Sequence, residues 1–229
     1  RNPEALTAWE ADKRSGKGFV SQSIQPRTTI TPSKLVVVLD GSKRMKPHAE
    51  TIANALNSLN PNVDIGVIVA SDEVNELLGL TDQKNKKAAI DNIRNLAFDG
   101  GCDNVPALLK AWNIASGTAD APILWLHATQ PVDISEVESL IQCWERRPGR
   151  PLLFDYQFGN GPNLVIEKLD GVQAVNRVPS FGDPKLDLAG LFNEWSGKIK
   201  SYGMERKHVD SMPDGVKVDD LNILRLWAR

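Results

Sequence analysis

Four runs of apolar, largely β-branched residues set the terms for this chain: residues 36–39 (VVVL), 63–70 (VDIGVIVA), 123–127 (ILWLH) and 152–156 (LLFDY). A strand with one wet face alternates apolar and polar residues, whereas an almost unbroken apolar run suits a strand covered on both faces. The segments between these runs carry helical spacing. Ala49, Ile52, Ala53 and Leu56 recur at i, i+3, i+4 and i+7, as do Val105, Leu108, Leu109 and Trp112, and Val137, Leu140, Ile141 and Trp144. A fourth stripe holds Leu188, Leu191, Phe192, Trp195 and Ile199. Strands alternating with helices imply a three-layer, doubly wound α/β fold with a mostly parallel sheet. Residues 71–80 (SDEVNELLGL) follow the second run at once, and their polar start leaves room to reverse, so they are expected to form one antiparallel edge strand.

The 229 residues, 41% hydrophobic, suffice for one main domain, since domains mostly span ~50 to ~250 residues. That domain is placed at residues 33–206. Ahead of it, residues 18–26 (GFVSQSIQP) alternate like a strand of an exposed sheet, and Pro26 and Pro32 bracket a connector. Residues 1–32 are therefore expected to be the tail of a preceding β-rich domain or an extension packed on this one. Residues 207–229 are read as a loop (KHVDSMPDG) leading to a last helix with Leu221, Leu224 and Trp227. The start at Arg1 without Met, and the end just after LNILRLW, read as a piece of a longer protein. Net charge is −2 with Lys and Arg scattered, which is not the footprint of a nucleic-acid binder or a basic membrane-surface helix. No apolar stretch approaches the ~20 residues of a membrane-spanning helix. Cys102 and Cys143 form neither a disulfide framework nor a zinc pattern, and Cys143 reads as helix packing. Compartment and oligomeric state stay open.

In open α/β sheets ligands sit beyond the carboxyl ends of the strands. Three loops fall there: residues 40–44 (DGSKR), 100–104 (GGCDN) and 127–131 (HATQP). Asp40 ends a buried strand and needs a partner, because an isolated buried carboxylate is strongly disfavoured. Asp40 and Ser42 could cap a helix beginning near Lys46, Asp103 or Asn104 the next helix, and Asp133 or Ser135 the one after. Cys102, His127 and Asp40 also supply the thiol, imidazole and carboxylate of a nucleophilic triad. Against that, His127 ends a buried strand, where a satisfied core histidine is commoner, and Cys102 is a small residue in a glycine-rich turn. Gly100 and Gly101 lack the flanking pattern of a phosphate loop. Trp112, Trp144 and Trp195 lie on helix stripes and read as core.

The strand followed by DGS, the segment GGCDNVPALLKAW and the segment ILWLHATQP resemble the von Willebrand factor type A domains, over residues 33–200. The resemblance implies recognition of another protein on the rim above the strand ends, without catalysis. Family members with an intact site bind Mg²⁺ through D-x-S-x-S, a second-loop Thr and a third-loop Asp, leaving one position for a partner's carboxylate. Asp40 and Ser42 match; Arg44, Cys102 and Ala128 or Thr129 stand at the other three positions. Mg²⁺ takes about six hard oxygens at roughly 2.1 Å, a thiol is too soft, and a guanidinium is itself a cation. The expectation is a degenerate site with no cofactor, in which Arg44 or Lys43 supplies the missing positive charge to Asp40. The alternatives are a metal-dependent adhesion module using Asp40, Ser42 and Asp103 with Mg²⁺, and a hydrolase using Cys102 and His127. A narrower resemblance rests on the β-like segment ahead, on residues 154–163 (FDYQFGNGPN) and on the closing LNILRLWAR. These are similar to bacterial proteins joining a vault/inter-α-trypsin-type domain to the A domain, some of which accompany exosortase systems. It implies a piece of a membrane-associated bacterial protein.

Overall fold

The computed structural model describes residues 7–11, 18–22, 32–100, 103–118, 121–130, 137–145, 151–172, 174–193, 195, 202–208 and 222–228. Contacts divide the chain into two units, one of residues 1–28 and 199–229, the other of residues 29–198. In the first, β1 (Thr7–Ala11) pairs antiparallel with β2 (Gly18–Gln22), Thr7 opposite Gln22.

The second unit runs β3 (Lys34–Asp40), α1 (Ala49–Asn57), β4 (Asp64–Ala70), β5 (Val74–Leu78), α2 (Lys86–Asn92) and α3 (Val105–Ser116). It continues with β6 (Ile123–His127), α4 (Val137–Glu145), β7 (Leu153–Gln157), α5 (Leu164–Gly171), β8 (Val175–Arg177) and α6 (Pro184–Asn193). The sheet order is β5-β4-β3-β6-β7-β8, parallel throughout except for β5, which runs antiparallel beside β4. This is the mostly parallel sheet with one antiparallel edge that the alternating pattern predicts. In the reversal before β5, the Ser71 hydroxyl donates to Glu73 O at 2.9 Å.

β3 shows why its sequence is unbroken. Successive side chains of a strand point to opposite faces. Leu35, Val37 and Leu39 join a core with α1 and α6, whereas Val36 and Val38 join one with α3, α4 and α5. Both faces are dry, so each position is apolar, and burying each such side chain contributes about 1.5–3 kcal/mol. Trp144 lies in the second core, and Trp112 and Cys143 pack against it.

Two expectations need correction. The stripe read through Ile199 is cut short, because α6 ends at Asn193. Trp195 is buried beyond the helix, edge-on to Phe154 with centroids 5.2 Å apart, and Ile199 lies outside the described residues. The final segment is a strand, not a helix: β9 (Tyr202–His208) pairs antiparallel with β10 (Asn222–Ala228), and β9 groups with the first unit. The intervening loop expected at 207–215 lies outside the described residues beyond His208. Among the described residues no helix is long and apolar enough to cross a membrane.

Candidate functional site

The parallel order puts the carboxyl ends of β3, β4, β6 and β7 on one rim. β3 stops at Asp40, and the Gly41 N–H donates to Ala70 O at 2.7 Å, tying the first loop to the end of β4. A 3-10 turn over Lys43–His48 follows, and the α-helix begins at Ala49, later than the start near Lys46 that the sequence suggests. Ser42 heads this turn without a side-chain capping bond. The second loop rises through Phe98, which is buried yet holds a left-handed backbone at φ 50°, a conformation a bulky residue adopts only where packing enforces it. The Gly100 N–H then donates to Gly41 O at 3.2 Å. A Cβ on Gly100 would lie 2.5 Å from Ser71 Cα, so this crossing admits only glycine.

Asp40 is fully buried. Its Oδ1 accepts the Ser42 N–H at 2.8 Å, and its Oδ2 accepts the Ala128 N–H at 3.1 Å and the Gln130 Nε2 amide at 3.3 Å. The carboxylate thus closes the first loop and holds the third. The expected cation is not its partner: no ion pair joins Asp40 to Lys43 or Arg44 among the described residues. Arg44 instead donates through Nη1 to Thr129 Oγ1. Thr129 is pressed from behind, since a Cβ on Gly161 would lie 2.5 Å from its Cγ2. Gln130 is set by the backbone: its N–H donates to Pro162 O at 3.1 Å, and its carbonyl accepts the Leu164 N–H at 2.9 Å. Above these contacts opens a cavity of about 250 Å³ lined by Ser42, Lys43, Arg44, Asp99, Gly100, Thr129 and Gln130.

Arg94 pairs with Glu50 and Asp91, Arg177 with Asp170 and Lys110 with Glu76. Arg44 and Lys43 have no acidic partner among the described residues. Two buried oxygens here, Ser42 Oγ and Gln130 Oε1, have no hydrogen-bond partner among those residues.

His127 is fully buried and its ring stacks on Trp125, centroids 3.8 Å apart. Nε2 is paired with Asp155 Oδ1, and Nδ1 lies 2.7 Å from Ala128 O and 3.2 Å from Asn163 Nδ2. Both ring nitrogens are engaged, as in the satisfied core histidine of the sequence reading. Cys102, Asp133 and Ser135 lie outside the described residues. Asp103 heads α3 through a bond from the Val105 N–H at 2.9 Å, while Asn104 accepts the Trp125 indole N–H at 2.9 Å instead of capping. Asp103 is not among the residues lining the cavity.

Of the residues singled out beforehand, Asp40, Ser42, Arg44 and Thr129 meet here. Gln130, Asp155 and Asn163 were not foreseen as contributors. Asp155 had a signal: a lone acid inside the apolar run LLFDY must find a buried partner.

Thr129 Oγ1 already accepts a guanidinium, that guanidinium brings a positive charge to the cavity, and the two unpartnered oxygens are neutral. Among the described residues no group of three His, Cys, Asp or Glu side chains could hold a metal ion.

The family profile described as the von Willebrand factor type A domain matches residues 34–121. Among solved structures, the chain is similar to a von Willebrand factor type A protein from Catenulispora acidiphila, at 16% identity and a TM-score of 0.50, over 82% of this chain and 46% of that one. It is also similar to proximal thread matrix protein 1 from the mussel byssus, at 14% identity and a TM-score of 0.50, over 69% of this chain and 46% of that one. A form of the mussel protein with a zinc occupied MIDAS motif matches at 14% identity and a TM-score of 0.50, over 70% and 47%. At such identities the likeness shows the fold. The chain spans about half the length of these proteins. Comparison with curated protein sequences gives no match.

Proposed function

We propose that this chain, whose residue 29–198 unit has the fold of a von Willebrand factor type A domain, recognises another protein at its strand-end rim without a metal ion. Type A domains are in general protein-interaction or adhesion modules. One observation carries the metal-free reading: Arg44, braced on Thr129, stands at the mouth of the cavity where a cation-dependent site needs an oxygen ligand. A fixed positive charge there repels a divalent ion and leaves the rim available to a partner directly. Calorimetry of the purified chain with Mg²⁺ and Mn²⁺ tests this. No binding heat at millimolar ion agrees with it; micromolar binding abolished by Asp40→Ala overturns it in favour of metal-dependent adhesion.

The flanks support a wider setting. The antiparallel pairs β1–β2 and β9–β10 suit a bacterial protein in which a vault/inter-α-trypsin-type domain joins the type A unit, of the kind that accompanies exosortase systems, with residues 1–32 as the tail of the preceding β-rich domain. In a longer version of the chain carrying that domain, limited proteolysis should leave residues 1–28 within the fragment of the preceding domain, and their release as a separate peptide would count against this setting.

A further inference from the structure

We infer that the rim cavity receives a neutral primary carboxamide, the side chain of an asparagine or glutamine presented by the partner; this rests on the rim being the recognition surface. The argument starts from Gln130, which is 1% exposed and lines the cavity. A carboxylate only accepts hydrogen bonds, so the amide nitrogen of Gln130 has to face Asp40 Oδ2. That orientation leaves Oε1 as an acceptor with no donor. Ser42 Oγ, also buried and unpartnered, can donate or accept. Arg44 donates one bond to Thr129, and its other N–H groups have no partner among the described residues.

Charge narrows the choice. An incoming carboxylate would sit above Asp40, a buried carboxylate bonded only to neutral donors, and would offer Gln130 Oε1 no proton. An incoming ammonium would meet Lys43 and Arg44. Asp99, exposed at the cavity, and the buried Asp40 together offset Lys43 and Arg44, so the rim carries no net charge although Arg44 keeps its own position positive. A primary carboxamide answers each group: its N–H groups donate to Gln130 Oε1 and Ser42 Oγ, which a turn of these two side chains brings out from beneath the rim surface, and its carbonyl accepts from Arg44. At about 250 Å³ the cavity is smaller than the ~300–1,000 Å³ of small-molecule sites, a size for one side chain. The backbone bridge from Gln130 to Asn163 holds the Gln130 main chain in place before anything binds, which lowers the ordering entropy lost on binding.

The test uses the 229-residue chain and four capped tripeptides, acetyl-Gly-X-Gly-N-methylamide with X as Asn, Asp, Lys or Ala, followed by amide NMR shifts. The Asn peptide is expected to move the Ser42 backbone and Gln130 side-chain resonances, with an apparent Kd at least about tenfold below those of the other three. Ser42→Ala should erase most of that margin with the circular dichroism unchanged. Equal or tighter binding of the Asp peptide at the rim overturns the carboxamide inference and leaves rim recognition standing. Equal binding of the Ala peptide, or no rim shift with any peptide, also overturns it. Micromolar Mg²⁺ shifting Asp40 and Ser42 in the same sample would instead remove the metal-free reading on which it rests.

Discussion

Asp40 and Asp155 are both buried carboxylates, and both reach the end of β6, from β3 on one side and β7 on the other. Asp40 takes the N–H of Ala128; Asp155, one residue back along β6, takes the ring of His127. The difference lies in what else each one holds. Asp155 grips an imidazole packed between Trp125 and the start of α5, and so fastens the sheet beneath the rim. Asp40 collects three neutral N–H donors from two loops, and so sets the shape of the rim itself. One acid secures the platform, and the other arranges what stands on it.

Substitutions should separate these roles. The largest loss is expected for Asp155→Ala, about 3–5 kcal/mol of unfolding free energy by urea titration, because a buried histidine is left without its partner. Asp40→Ala should lose less, about 2–3 kcal/mol, since neutral donors are stranded and part of the rim can relax toward water. If Asp40→Ala proved the costlier change, the division between platform and rim would be wrong.

A third buried carboxylate, Asp187, sharpens the contrast through pH. It accepts the Tyr156 O–H at 2.8 Å. Burial above all pushes the Tyr156 phenol up to about 12; a hydrogen bond with Ser180 pulls the other way, and Asp187 and Asp183 add to the rise. A raised phenol keeps its proton in the folded state while the unfolded chain loses it. This contribution is therefore whole below pH ~10 and is lost progressively between about pH 10 and 12. Chemical denaturation across that range should show the decline, and Tyr156→Phe should flatten it. The smallest stability effect belongs to Arg44→Ala, within about 0.5 kcal/mol, although partner binding at the rim should fall sharply. A variant that lost stability and binding together would make Arg44 a brace for the loops instead of a contact for the partner.

The sheet was legible because its signals are local. Unbroken β-branched runs mark doubly covered strands, and the polar start of SDEVNELLGL marks the reversal into β5. The closing LNILRLW was not, since seven residues with Leu224, Leu226 and Trp227 satisfy a helical spacing and a strand alternation alike, and only pairing with β9 decides between them. The rim was half legible. Asp40, Ser42, Arg44 and Thr129 stand out against a cation-binding pattern, yet the guanidinium reaches Thr129, 85 positions away, instead of the nearby carboxylate. Gln130 and Asp155 carry no motif; their roles exist only once parallel register places β6 between β3 and β7.

The far margin of the sheet has a consequence of its own. β8 is three residues long, and the Val178 N–H turns inward to Asp155 O at 2.8 Å, so Val175, Arg177 and Pro179 face away from β7. Proline has no amide hydrogen to offer. A foreign chain trying to extend the sheet there would run out of donors after Arg177, which protects this open border against fibril-like stacking between molecules.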